Sequence, residues 1–151
     1  MKVRILSPWK QERKHMELEE NYLKRLKRYT TIDIEEIKGV KGEDRQATQR
    51  EGEKILSHIK GRPFIVALTE CGKAFDSVGF SGWLEKLTIQ GKSDITFVIG
   101  GAAGLHEAVI KASDFNLSLS LMTFPHRLTR VILIEQIYRA LTLIKGEPYH
   151  K

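Results

Sequence analysis

The chain has 151 residues, a length typical of one domain, and its 41% hydrophobic and 29% charged residues exclude general disorder. It carries 25 Lys and Arg against 19 Asp and Glu, a formal net charge of +6, and residues 1–62 alone hold 16 basic and 11 acidic side chains (+5). This balance favours a polyanionic partner such as nucleic acid, with the basic surface in the first half of the chain.

Cysteine content and apolar runs limit the class of protein further. Cys71 is the only cysteine, so an internal disulfide and a thiolate metal cluster are excluded. The first residues lack the apolar region of a signal peptide, and no apolar run approaches membrane-spanning length. We therefore expect a cytoplasmic protein with no membrane partner and no metal site, folded as a single domain over residues 1–151.

Strand and helix patterns alternate along the whole chain. Alternating apolar and polar residues predict half-exposed strands, whereas the continuous apolar run Phe64–Leu68 predicts a strand buried on both faces of a parallel sheet. The predicted strands are 2–6, 31–37, 64–68, 95–99 and 115–121. The predicted helices are 11–29, 46–60, 81–89 with Ser81 as its cap, 105–112 and 128–144, and the charged segment 39–44 and segment 69–77 are predicted loops. This order predicts an α/β fold with a mainly parallel sheet and helices on both faces.

A glycine cluster, Gly100-Gly101-x-x-Gly104, follows the buried strand 95–99. In open α/β sheets, ligands bind beyond the carboxyl ends of strands, where glycines let the backbone approach a ligand closely. A tight turn that needs positive φ explains the same pattern equally well. A dinucleotide fingerprint is disfavoured, because Ile99 occupies its first glycine position and no ribose-binding acid stands about 20 residues further on.

A second unusual stretch, residues 119–127, joins an apolar strand to a Thr-Phe-Pro-His segment without a polar loop. Backbone donors and acceptors beside an apolar wall suit an adenine ring, although a buried strand ended by a proline turn explains the pattern too. In the helix that follows, Arg127 and Arg130 either hold phosphates through bidentate contacts or form a solvated face.

Five segments match one family in order and with similar gaps. They are Gly72-Lys73, residues 97–105, residues 117–126, residues 135–140 and Pro148-Tyr149-His150. Together they resemble the ribosomal RNA large-subunit methyltransferase H family, a group of pseudouridine methyltransferases in the SPOUT superfamily. The resemblance covers nearly the whole chain, including its length, and is strongest over residues 64–151.

The resemblance implies a SPOUT-type fold whose C-terminal part, roughly residues 93–151, threads into a deep trefoil knot. It also implies a homodimer with both active sites at the subunit interface and S-adenosylmethionine bent within the knot. Members of the family methylate the imide nitrogen (N3) of a pseudouridine in large-subunit ribosomal RNA, acting on the assembled ribosome.

The resemblance also assigns individual residues. The cofactor residues are Leu68, Gly100, Gly101, Ser120, Leu121, Met122, Thr123, Phe124 and Pro125. The residues on the substrate side are His126, Arg130, Tyr138, Tyr149 and His150, with the terminal tail reaching into the partner's site. The chain departs from the family at Ser7-Pro8-Trp9, where relatives show a Gly-Lys turn, and at Ala102-Ala103, which replaces a Pro-Glu type pair.

Methyl transfer from a sulfonium is an in-line displacement, so the enzyme mainly positions the nucleophile and stabilises changing charge. The imide nitrogen must lose its proton, and we expect His126 or His150 to accept it. We expect Arg130 to stabilise the imidate oxygen. Two other interpretations stay open. One is a non-enzymatic RNA-binding or ribosome-assembly protein driven by the basic first half, and the other is a SPOUT methyltransferase with a different RNA target.

Overall fold

Every pair of neighbouring strands in the sheet is parallel. The computed structural model describes Met1–Lys151. Its strands are β1 Lys2–Pro8, β2 Thr31–Ile37, β3 Phe64–Ala74, β4 Asp94–Val98 and β5 Phe115–Ser118. Its helices are α1 Arg13–Leu26, α2 Arg45–His58, α3 Ser77–Ile89, α4 Glu107–Ala112 and α5 His126–Ile144. The strand order is β2-β1-β4-β3-β5.

Helices cover both faces of this sheet, because successive side chains of each strand point to opposite sides. The larger core packs the strands against α1, α3 and α5 and includes Ile5, Phe97, Leu26, Leu84 and Ile134. The smaller core packs the other face against α2 and α4 and includes Leu6, Val98, Ile55 and Val109. The predicted α/β fold is confirmed, whereas the trefoil knot and the single-domain assignment stay predictions.

The predicted loop 69–77 is wrong in its first part, because β3 continues to Ala74. Leu68 and Lys73 both pair with Leu117 of β5, so the intervening residues form a bulge. Gly72 makes this possible: a Cβ there would lie 2.7 Å from backbone atoms of Asn116. The extension of β3 therefore depends on close backbone packing against β5.

The predicted start of the third helix is also wrong. The helix begins at Ser77, four residues before Ser81, and Asp76 is its cap, accepting a 2.6 Å hydrogen bond from the Gly79 amide. Ser81 is buried within the helix, where its hydroxyl donates to the Ala140 carbonyl of α5 at 2.9 Å. Ser81 thus joins α3 to α5.

Strand β5 ends at Ser118, three residues earlier than predicted. The Ser118 hydroxyl donates to the Ser120 carbonyl at 3.0 Å, and the Ser120 hydroxyl accepts from the Met122 amide at 3.0 Å. These local bonds turn the chain out of the sheet.

No helix in the protein combines the length and the apolar character needed to span a membrane.

Candidate active site

A cavity of about 610 Å³ opens at the carboxyl edge of the sheet, where β4 and β5 end and β3 bulges. This is the edge at which parallel α/β sheets bind ligands. The sequence-predicted cofactor residues that line it are Leu68, Gly100, Gly101, Ser120, Met122, Thr123, Phe124 and Pro125. Leu121 is the exception, because the residue is 87% exposed and is not part of the wall.

The glycine loop, residues 100–104, forms one wall of the cavity and is also a tight turn. Gly104 has a φ of +77°, and its amide donates to the Gly101 carbonyl at 3.0 Å. A Cβ on Gly100 would lie 2.7 Å from the carbonyl carbon of Gly104. Both interpretations of the glycine pattern are therefore met, since Gly104 supplies the positive φ and Gly100 the close backbone approach.

A second part of the wall comes from the segment Leu119–Pro125, all but Leu121, which lies between β5 and α5. The backbone N–H groups of Thr123 and Phe124 donate to no protein acceptor. Met122 lines the cavity, yet the residue is 73% exposed, next to the exposed Leu121. The segment thus leaves two backbone donors unpaired in residues that line a partly apolar cavity, together with an uncovered apolar rim.

Several wall residues escape prediction from the sequence. They are Thr69, Glu70, Ile99, Ala102, Leu105, Ile110 and Thr129, whereas Gly104 and Leu119, which also line the cavity, belong to the two patterns that the sequence singles out. Thr69 and Glu70 directly follow the apolar run Phe64–Leu68, and a position just after a buried strand is itself a sequence feature that predicts the binding edge. Ile110 had no such signal, because its position depends on how α4 packs beside the glycine loop.

His126 lies at the start of α5 and lines the same cavity. Its Nε2 atom is buried and has no hydrogen-bond partner. Burial of the ring, reinforced by the positive charge of Arg127, lowers the pKa of His126 below its ordinary value of 6.5. At neutral pH the ring is therefore uncharged and able to accept a proton.

This pKa shift predicts a pH dependence of stability. The folded-state pKa lies below the unfolded-state value, so between the two the unfolded chain binds more protons than the folded chain. We expect the wild type, compared with His126→Gln, to lose free energy of unfolding as the pH falls below about 6.5. Denaturant titrations of both proteins across that range measure the difference. Parallel pH dependences would contradict the assignment.

Arg130 does not reach the cavity. Its side chain is 4% exposed and forms a bidentate ion pair with Glu19 of α1, with Nε–Oε2 at 2.9 Å. Its Nη1 also lies 3.3 Å from Oε2 of Glu36 at the end of β2. The guanidinium is thus occupied by two carboxylates in this chain, and its predicted contact with a substrate oxygen stays a prediction.

Tyr138, Tyr149 and His150 lie together at the far end of α5. Tyr138 is buried, with the Tyr149 ring 4.7 Å away between centroids. The Tyr149 hydroxyl donates to Oε1 of Glu135 at 3.1 Å. Burial is the main cause that raises the pKa of Tyr149, and the hydrogen bonds of its hydroxyl raise the pKa further. The His150 ring lies 3.2 Å from Nη1 of Arg139. The terminal tail is therefore docked on its own chain.

The predicted substrate-side residues consequently lie in three places. His126 lines the cavity, Arg130 is buried against Glu19, and Tyr138, Tyr149 and His150 form what we call the tail group. His126 begins α5, whereas Arg139, which contacts His150, lies 13 residues further along the same helix. At 1.5 Å per residue this separation is about 20 Å. No group of three or more His, Cys, Asp or Glu side chains is placed to bind a metal ion.

Comparisons with known proteins add to this geometry. Residues 1–150 match a family described as "Predicted SPOUT methyltransferase". The proteins named ribosomal RNA large subunit methyltransferase H from Alkaliphilus oremlandii and Clostridium tetani are 43% and 42% identical to the chain. Each alignment covers 100% of this chain and 100% of the relative.

Proposed function

The chain belongs to the SPOUT methyltransferase family, and from this premise we propose that it is an S-adenosylmethionine-dependent methyltransferase of large-subunit ribosomal RNA. The family resemblance predicted from the sequence is thereby confirmed. The observation that carries the proposal is the cavity of about 610 Å³ at the carboxyl edge of the sheet, which gathers the glycine loop, the segment Leu119–Pro125 and His126.

The cavity fits the proposed cofactor in size and chemistry. A volume of about 610 Å³ is in the range of sites for small organic ligands. Leu68, Ile99 and Leu105 provide apolar surface for an adenine ring, and the free amides of Thr123 and Phe124 supply donors for its polar edge. When bound, S-adenosylmethionine supplies an electrophilic methyl group on its sulfonium.

We propose that the acceptor is the imide nitrogen N3 of a pseudouridine, in the assembled ribosome and hence in the cytoplasm. The neutral His126 ring at the cavity wall is one candidate to accept the imide proton, and His150 is the other.

Lys24 and Lys27, exposed and without ion pairs at the end of α1, are suited to contact RNA phosphates. RNA affinity that is insensitive to Lys24→Glu would contradict this docking.

We further propose that the protein acts as a homodimer with shared sites. His126 and the tail group lie about 20 Å apart along α5, a distance that no single substrate base bridges. Two chains packed so that the tail end of one meets the cavity of the other would unite both groups. The exposed Leu121 and Met122 at the cavity rim provide apolar surface for such a contact.

Isothermal titration calorimetry tests the proposed function against the RNA-binding alternative. We expect S-adenosylmethionine to bind with one site per chain, and Gly100→Val to abolish the heat of binding because its side chain would meet the Gly104 backbone. Val78→Ala, an exposed substitution on α3, is the matched control. RNA binding by the wild type with no heat from the cofactor would instead favour a non-enzymatic RNA-binding protein.

A further inference from the structure

Glu51 of α2 is a buried carboxylate without a cationic partner. Its residue is 9% exposed, and no Lys, Arg or His side chain lies within ion-pair distance of it. Withdrawing a carboxylate from water is costly unless hydrogen bonds or opposite charges compensate. A specific interaction must therefore compensate for the burial of the Glu51 carboxylate.

That interaction is with the glycine loop. Oε1 of Glu51 accepts a 3.1 Å hydrogen bond from the Gly101 amide. A Cβ on Gly101 would lie 2.9 Å from the same oxygen, so a larger residue at this position would push the carboxylate away from the amide. Gly52, the next residue, brings α2 close to the start of α4, because a Cβ there would lie 2.9 Å from Cβ of His106.

The hydrogen bond fixes the orientation of one peptide group in the cavity wall. In a trans peptide the N–H and the C=O point in opposite directions, so holding the Gly101 amide on Glu51 turns the Gly100 carbonyl away from Glu51. The carboxylate also places a negative charge beside the glycine loop, and because Glu51 is only 9% exposed, solvent screens that charge less than it would at the surface.

We propose that Glu51 is a positioning residue for the cofactor, acting in two ways. Its hydrogen bond holds the glycine loop in its binding conformation, and its negative charge favours the cationic sulfonium over the uncharged thioether of the product. This inference rests on the proposed function, since it assumes that the cavity binds S-adenosylmethionine. The protein would thus bind substrate and release product partly by charge.

Binding measurements separate the two effects. Glu51→Gln keeps an oxygen acceptor for the Gly101 amide but removes the charge, so we expect about threefold or greater loss of S-adenosylmethionine affinity and little change for S-adenosylhomocysteine. Glu51→Ala removes both, so we expect about tenfold or greater loss for both ligands. Gly101→Ala is expected to weaken the binding of both ligands when it is made in the wild type. Made in the Glu51→Ala protein, it should cause little further loss of affinity.

Glu53→Gln, an exposed charge change on the same helix, is the matched control and should bind both ligands as the wild type does. Thermal unfolding of every variant is recorded alongside, and if Glu51→Ala does not fold, Glu51→Gln and Gly101→Ala decide. Folded Glu51 variants with wild-type affinity for both ligands would overturn the positioning role while leaving the proposed function intact. A wild type that binds no S-adenosylmethionine would overturn both.

Discussion

Glu19→Ala is expected to lower the free energy of unfolding by about 3–5 kcal/mol, because it leaves the buried Arg130 guanidinium without its main partner. Glu36, at 3.3 Å and more exposed, compensates only in part. Equilibrium unfolding in urea measures the loss. Glu20→Ala, an exposed change on the same helix, should shift the value by no more than about 0.5 kcal/mol.

A double variant refines this expectation. Replacing both charges, as in Glu19→Leu with Arg130→Met, removes the unpaired ion and should recover most of the lost stability. The pair also holds the first turn of α5, which carries His126 and Thr129 into the cavity. A loss below about 1 kcal/mol for Glu19→Ala would mean that the pair is compensated by solvent and does not hold α5 in place.

Complementation between two inactive variants tests the shared site and is the second large effect. Gly100→Val disables the cavity, and deletion of residues 148–151 removes Tyr149 and His150; each alone is expected to lower methyl transfer about 100-fold or more. In a mixed dimer, the intact cavity of one chain meets the intact tail of the other. Co-expression with two affinity tags isolates these mixed dimers.

The expected recovery follows from counting sites. Random pairing gives mixed dimers in half of the molecules, each with one complete site, so about a quarter of wild-type activity should return in the unfractionated mixture. His126→Ala serves as a second cavity-side variant should Gly100→Val fold poorly. A mixture that stays inactive, from chains that still form mixed dimers, would place the complete site within one chain.

Local patterns predicted much of the fold and the cavity wall. The alternation in Thr31–Ile37 matches β2 over its full length, because one face of an edge strand is wet and the other packs on a helix. Hydrophobic periodicity shows where the strands end, and ligands in this fold bind just beyond those ends. The sequence therefore indicated the glycine loop and the segment Leu119–Pro125 as candidate parts of a binding site, and both line the cavity.

Interactions between distant parts of the chain were not predictable from the same patterns. Arg130 looked compatible with a solvated helix face, and only its pairing with Glu19, 111 residues away, buries it. Glu51 stood in an ordinary charged helix, yet it contacts Gly101, 50 residues further on. The extension of β3 likewise depends on Gly72 meeting β5. Each of these outcomes is set by tertiary packing, which sequence periodicity does not encode.

Methyl transfer to ribosomes tests the central proposal most directly. Ribosomes from a strain lacking this protein would be incubated with the purified protein and isotope-labelled S-adenosylmethionine, and the large-subunit RNA digested and mapped by mass spectrometry. We expect one labelled methyl group per large-subunit RNA, on N3 of a pseudouridine, and none with Gly100→Val. Ribosomes that bind the protein yet gain no methyl group would contradict the account.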